Sequence, residues 1–327
     1  KYKAFVTKES DSGFSNSIEN LSTADLKDND LIVKVSYSSL NYKDALSASG
    51  NKGVTREYPH TPGIDAVGEV IESNSSDFKT GEKIIVTGYD LGMNTYGGFG
   101  QYISIPANWA IPLPKELTEA EAMSIGTAGL TAGLCVRKLL MNDLTPDSGD
   151  VLVTGASGGV GSIAVMILNK MGYNVTAVSG KDSKADYLKS LGAKNVINRS
   201  EFDKDPKLID KGLWDGVVDT VGGKILANAI VQTNSNGIIA VCGNASTNEL
   251  NTNVIPFMLR GIKLWGMDSA NCSIKRREFI WGEAAKLIDF NLIEKSVQTV
   301  SLEELIETYP KILKGEISGR VLVDLNK

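Results

Sequence analysis

Val151-Leu152-Val153-Thr154-Gly155-Ala156-Ser157-Gly158-Gly159-Val160-Gly161 is the stretch whose reading decides the fold. Its first four residues are apolar or β-branched and predict a short buried strand. The glycines follow at once, and Ile163, Ala164, Ile167 and Leu168 continue as the apolar face of a helix. Strand, glycine turn and helix in that order make a phosphate cradle. Glycine tolerates positive φ and lets bare amides approach a ligand, and the helix they open carries about half a positive charge at its N-terminus. Written Ala156-x-Gly158-x-x-Gly161, the run is the dinucleotide fingerprint with alanine in place of its first glycine, so the backbone of Ser157, Gly158, Gly159 and Val160 is the candidate pyrophosphate seat. Alone, the same run also fits a tight turn in any α/β protein.

The flanks weigh against that plainer reading. Asn174–Val178, Asn195–Ile197, Gly216–Asp219, Gly237–Val241 and Ile262–Trp265 are further short apolar runs. Lys184–Leu191 is a helix with Ala185, Leu188 and Leu191 on one face, stopped by Gly192. Six strands with helical spacers predict a doubly wound parallel sheet with its ligand at the carboxyl ends of the strands. Residues 1–122 differ. Short β-like runs such as Leu31–Tyr37 and Lys83–Val86, punctuated by glycine and proline, predict a separate, mostly β domain. Thr118–Ala122 starts a helix that continues through the small residues of Gly126–Gly133. Arg277–Phe290 is helical, and Gly319–Leu325 is a final strand able to rejoin the first domain. The expected organisation is therefore 1–122 with 268–327 as one discontinuous domain and 123–267 as the dinucleotide-binding domain.

The totals exclude several classes. A net charge of −5 with both signs interspersed shows no basic stripe for nucleic acid and no polybasic block for a membrane surface. No apolar run approaches the ~20 residues that cross a bilayer, and the opening Lys1–Val6 reads as a strand, so the expected location is cytoplasmic. Cys135, Cys242 and Cys272 are three, far apart and without paired spacing, which argues against disulfides and structural zinc.

The order of parts, a β domain, a glycine turn near mid-chain and a return segment, is similar to that of the medium-chain dehydrogenases/reductases. Ser39-Leu40-Asn41-Tyr42-Lys43-Asp44-Ala45-Leu46, Thr61-Pro62-Gly63-Ile64-Asp65, Val178-Ser179-Gly180-Lys181 and Val196-Ile197-Asn198-Arg199 resemble the YhdH/YhfP quinone oxidoreductases, a group that includes acrylyl-CoA reductase. The resemblance covers essentially the whole chain. It implies a GroES-like β domain beside the Rossmann domain, Asn41 and Tyr42 as catalytic-site residues, and Tyr42, Thr127, Thr131 and Ser269 at the nicotinamide, with Asn271 close by. Tyr42 would order the ring or relay a proton; a core tyrosine with a satisfied hydroxyl is the alternative. The resemblance also implies a homodimer joined at the edge strand carrying Leu264 and Trp265; an edge covered by a loop is the alternative. The short-chain dehydrogenases are a rival, since Gly155-x-x-x-Gly159-x-Gly161 fits their glycine spacing. None of the ten tyrosines has a lysine four residues later, and their glycines lie near the N-terminus.

Zinc alcohol dehydrogenases of the superfamily hold their metal with residues at the positions of Asn41, Ile64 and Thr127, none of which is a usual zinc ligand here. The only histidine, His60, reads as a turn residue beside prolines. No metal is therefore expected, and the chemistry shifts to acceptors that already invite hydride from nicotinamide C4, an enoyl-CoA or a quinone. The cofactor expected is NADPH. The end of the second Rossmann strand reads Ser179-Gly180-Lys181 where an acid would select NAD, and Arg199 is a second cation in reach of a 2′-phosphate. Asp182 is one residue from spoiling that pattern. Asp44 reads as a turn or capping residue, Asp65 as the partner of a structural cation, and Arg320 as a contact for an anionic substrate group or a surface ion pair. Three functions stay in view: enoyl-CoA reduction, quinone reduction, and a dinucleotide-binding sensor or structural protein with little turnover.

Overall fold

In the computed structural model, which describes every residue from Lys1 to Lys327, the chain divides into two units. One comprises Lys1–Thr127, Ser269–Ala285 and Ile293–Lys327; the other comprises Ala128–Asp268 and Lys286–Leu292. Sequence alone divides the chain five residues earlier at the first junction. The residues of that interval stay with the first unit because Ser124 and Thr127 bond to buried charges there.

The first unit opens with the antiparallel hairpin β1 (Tyr2–Ser10) and β2 (Gly13–Leu21). It continues with β3 (Leu31–Leu40), helix α1 (Tyr42–Ala48), β4 (Asp65–Ser73), β5 (Lys83–Thr87), β6 (Tyr102–Ile105) and β7 (Ala110–Pro112). In β3 the side chains of Leu31, Val33 and Val35 are buried and those between them are not, the two-residue period of a sheet with one face on the core. Helix α2 (Glu119–Leu140) follows and breaks at Gly126, where φ is 50° and ψ is −157°.

The second unit carries β8 (Val151–Val153), α3 (Gly159–Lys170), β9 (Val175–Ser179), α4 (Ala185–Ser190) and β10 (Asn195–Asn198), then β11 (Trp214–Asp219), α5 (Gly223–Val231), β12 (Thr233–Val241), α6 (Ile255–Arg260) and β13 (Lys263–Gly266). All six strands are parallel, in the order β10-β9-β8-β11-β12-β13. The chain winds outward from β8 to β10, returns to the other side of β8 and winds outward again, so the order reverses between β8 and β11. Leu152, Val178, Val217 and Ile239 from four adjacent strands share a core with Ile225, Leu226 and Ile230 of α5. This is the Rossmann arrangement expected from the six apolar runs.

The remaining elements are α7 (Ile274–Leu287), α8 (Phe290–Glu294), β14 (Val297–Val300), α9 (Leu302–Leu313) and β15 (Arg320–Asp324). β15 pairs antiparallel with β3 and completes a seven-stranded sheet, β14-β15-β3-β4-β5-β7, with β6 also on β3. The helix predicted over Arg277–Phe290 is two, because the Asp289 carboxylate accepts from the Asn291 amide and starts a new turn. No helix is long and apolar enough to cross a membrane.

Candidate active site

β8 ends at Val153, and the chain turns through Gly155 at φ 57°, where a Cβ would lie 2.2 Å from Thr220 Oγ1. Gly161, in the first turn of α3, sits so close to the same turn that a Cβ would lie 2.4 Å from the Gly155 carbonyl oxygen. Glycine is required at both places by contact. The result is that Ser157, Gly158, Gly159 and Val160 lead into the N-terminus of a twelve-residue helix whose first amides have no partner within it. Asp219 at the end of β11 braces this switch point. Its carboxylate accepts from Thr154 Oγ1 at 2.7 Å and from the Gly222 amide at 2.9 Å. Burial pushes its pKa up, opposed by those donors.

The corner after β9 is cationic. Ser179 Oγ accepts from the Lys181 amide at 3.2 Å and lies 3.5 Å from Ser157 Oγ, so one hydroxyl bridges the glycine turn and the strand end. A Cβ on Gly180 would meet Arg199 Nε at 2.7 Å, which places the exposed Arg199 guanidinium directly on that backbone. Asp182 belongs to the next turn, and its carboxylate is taken by Asn198 Nδ2 at 2.7 Å. Bare backbone, a hydroxyl and two cations at a helix N-terminus fit a dinucleotide with a 2′-phosphate.

A second polar centre lies inside the β-rich unit, around the fully buried Asp65. Its Oδ2 accepts from Ser39 Oγ at 2.7 Å, Asn41 Nδ2 at 2.8 Å and the Thr127 amide at 2.9 Å; its Oδ1 accepts from Thr127 Oγ1 at 2.5 Å. Arg320 Nη2 stands 3.9 Å from the same carboxylate, while Nη1 donates to Asn41 Oδ1 at 3.2 Å and Nε to the Ser124 carbonyl. Held at both ends, the Asn41 amide has one orientation. Gly126 makes the approach possible, since a Cβ there would lie 2.6 Å from Asp65 Oδ2 and 2.8 Å from Arg320 Nη2. Asp44 closes the N-terminus of α1 by accepting from the Asn41 amide, and its other oxygen takes the Ile64 amide. Burial and then the charge of Asp65 push its pKa up to about 7 against those donors. Burial lowers that of Arg320, against the pull of Asp65 and Asp44.

The structure thus brings together Asn41, Asp44, Asp65, Thr127 and Arg320. Arg320 is a correction to one of its two sequence readings: at 4% exposure it is not a surface ion pair, since Nη1 and Nε donate to Asn41 and Ser124 while Nη2, 3.9 Å from Asp65, makes no hydrogen bond. Tyr42 is the first residue of α1, 40% exposed. Thr131 is buried in the second half of α2, and Ser269 is half-buried just past β13. His60 is buried, bridged to Thr7 and packed edge-on to Tyr58 and Tyr96, and burial lowers its pKa to about 4. No group of three or more His, Cys, Asp or Glu side chains could hold a metal ion. Sequence reasoning missed Ser39 and Asp219, whose signal is a polar residue closing an apolar strand. It also missed Arg277, which has no local signal.

Two family models match the chain: the alcohol dehydrogenase GroES-like domain over residues 27–115 and the zinc-binding dehydrogenase over residues 159–288. Among curated proteins, YhfP of Bacillus subtilis is 42% identical over 99% of both chains, and the acrylyl-CoA reductase AcuI of Ruegeria pomeroyi is 41% identical over 98% of both. Among solved structures, Escherichia coli YhdH with bound NADPH superposes with a TM-score of 0.96 at 40% identity, covering 99% of this chain and 100% of that one. Bacillus subtilis YhfP, solved with NAD, gives 0.95 over 99% of both. With this fold, this glycine turn and relatives of that identity over its full length, the chain belongs to the YhdH/YhfP group of quinone oxidoreductase-like medium-chain dehydrogenases/reductases.

Proposed function

We propose that the protein is an NADPH-dependent reductase of activated carbon–carbon double bonds, with acrylyl-CoA or a similar enoyl-CoA as its substrate class. The observation that carries the cofactor choice is the corner of Ser179, Gly180 and Lys181 with Arg199 laid on Gly180, where two cations and a hydroxyl stand in place of an acid. Each charge-assisted hydrogen bond to a 2′-phosphate contributes about 1.5–3 kcal/mol. The relative AcuI, named for acrylyl-CoA, supports the substrate class.

Bound NADPH supplies the hydride from its nicotinamide C4. The chain's own residues seat, orient and protonate. Ser157 to Val160 seat the pyrophosphate, and Lys181 and Arg199 hold the adenosine phosphate. Asn41 and Thr127, both locked by Asp65, hold a fixed polar wall beside the reacting groups, with Thr131 and Ser269 on the nicotinamide side. Tyr42, 40% exposed at the start of α1, is the residue to order the ring or relay the proton to the α-carbon. Asn41, Ile64 and Thr127 are poor zinc ligands, which favours an acceptor that needs no Lewis acid.

Steady-state oxidation of NADPH tests the reading against acrylyl-CoA, crotonyl-CoA and benzoquinone. Turnover confined to the enoyl thioesters supports it. Turnover on benzoquinone alone favours quinone reduction, the reading suggested by YhfP, a relative named as a candidate quinone oxidoreductase. Tight NADPH binding without turnover would leave a sensor or structural protein. A chelator in the same assay leaves the rate unchanged; loss restored by zinc contradicts the zinc-free reading.

A further inference from the structure

We propose that Arg277 and Tyr89 are positioning residues that fix the backbone of Ser269–Cys272, the segment that carries the nicotinamide-side residue Ser269. This rests on the NADPH reading above. Arg277, fourth residue of α7, is 1% exposed. Its five N–H donors meet five acceptors. Nε donates to the Cys272 carbonyl at 3.0 Å, and Nη2 to the carbonyls of Ser269 and Ala270 at 3.0 and 2.6 Å. Nη1 donates to the carbonyl and hydroxyl of Thr87 at 2.5 and 2.8 Å. A buried guanidinium most often faces a carboxylate or phosphate; here all five acceptors are neutral oxygens, three of them backbone carbonyls of one short irregular segment.

Tyr89 clamps the same segment together with Arg277. Its amide donates to the Ala270 carbonyl at 2.9 Å and its hydroxyl to the Cys272 carbonyl at 3.2 Å. Its ring lies under the Arg277 guanidinium at 4.1 Å and stacks on Trp109 with centroids 5.5 Å apart. It does this at φ 52°, a left-handed conformation that strains a bulky residue. Next to it Gly88 admits the segment so closely that a Cβ would lie 3.1 Å from Ala270 Cα. The Gly88 amide donates to the Ile64 carbonyl, and the Ile64 amide donates to Asp44, so this strut also joins the Asp44–Asp65 centre. Surface connections ordinarily leave their carbonyls to water. A buried arginine and a strained tyrosine spent on four residues over-determine their path, and such strain persists where geometry serves function.

The experiment compares wild type with Tyr89→Gly, Arg277→Lys and Arg277→Met. Calorimetric titration gives the affinity for NADPH and for adenosine 2′,5′-bisphosphate, which carries the 2′-phosphate but no nicotinamide; kcat, KM and Tm are measured alongside. Tyr89→Gly removes the ring's contacts but relieves the left-handed strain at a half-buried position, so it folds even where Arg277→Met does not. The expected result is bisphosphate affinity unchanged, NADPH affinity and kcat each down about tenfold in Tyr89→Gly, and a smaller loss in Arg277→Lys. Loss of Tm with NADPH affinity and kcat intact overturns the proposal, as does an equal loss for both ligands. Wild type that binds neither ligand overturns the NADPH reading and this proposal with it.

Discussion

Lys181 and Asp44 are the residues whose charges have the most readable consequences. Lys181→Glu puts an acid beside Ser179 at the end of β9, facing the position proposed for the 2′-phosphate. The expected outcome is a KM for NADPH raised about tenfold or more, with the KM for NADH changed far less, since one lost charged contact is worth at least about 1.4 kcal/mol. Equal effects on both cofactors would discredit the cationic corner. Asp44 sets a pH dependence of stability. The unfolded chain releases this proton near pH 4, whereas the fold holds it to about pH 7. Between those values the folded state binds more protons, so the contribution is full below about pH 4 and is lost as pH rises towards 7, by at most about 1.4 kcal/mol per unit. Thermal melts between pH 5 and 8 check it: wild type loses Tm with rising pH and Asp44→Asn does so less. Parallel curves would refute the assignment.

Among the elements, α2 is the one whose break matters most. The run of small residues Gly126–Gly133 reads as a continuous helix, yet Gly126 leaves helical geometry because Asp65, Ser39 and Arg320 press against it on the side where a Cβ would stand. Gly126→Ala should therefore destabilise by about 1–3 kcal/mol in urea unfolding and lower kcat, through strain at positive φ and displacement of the Asp65 contacts. Gly282→Ala in α7, with nothing within 4 Å of the new Cβ, should instead gain about 0.5–1 kcal/mol from helix propensity. If both cost the same, the contact argument fails. β14 illustrates the opposite limit: Val-Gln-Thr-Val is too short and polar to announce a strand, and it becomes one only through parallel pairing with β15.

For the molecule as a whole, the open edge of the six-stranded sheet is the feature left to explain. β13 pairs on one side only, Trp265 on it is 45% exposed, and α6 and its N-cap residue show Met258, Leu259 and Val254 to solvent. An unpaired edge beside apolar side chains suits a second copy across a two-fold axis. Light scattering is expected to return twice the 35.0 kDa chain mass, and Trp265→Lys to return a single chain. A wild-type monomer would remove this reading. The C-terminal strand returns to the sheet of the first unit, because β15 lies between β14 and β3 and brings Arg320 to Asp65.

Local chemistry alone determined the Rossmann half of this protein. Apolar runs of strand length, a glycine turn that no other residue can make and a cationic strand end are properties of neighbouring residues, so they are legible without a fold. Most of the polar centre in the β-rich unit was decided only in three dimensions. Ser39, Asn41, Asp65, Thr127 and Arg320 are spread over some 280 positions, and nothing in the spacing of their residue types says that one buried carboxylate will gather them. Arg277 and Tyr89 are the same case, because a guanidinium that binds backbone carbonyls has no partner side chain for a sequence to display.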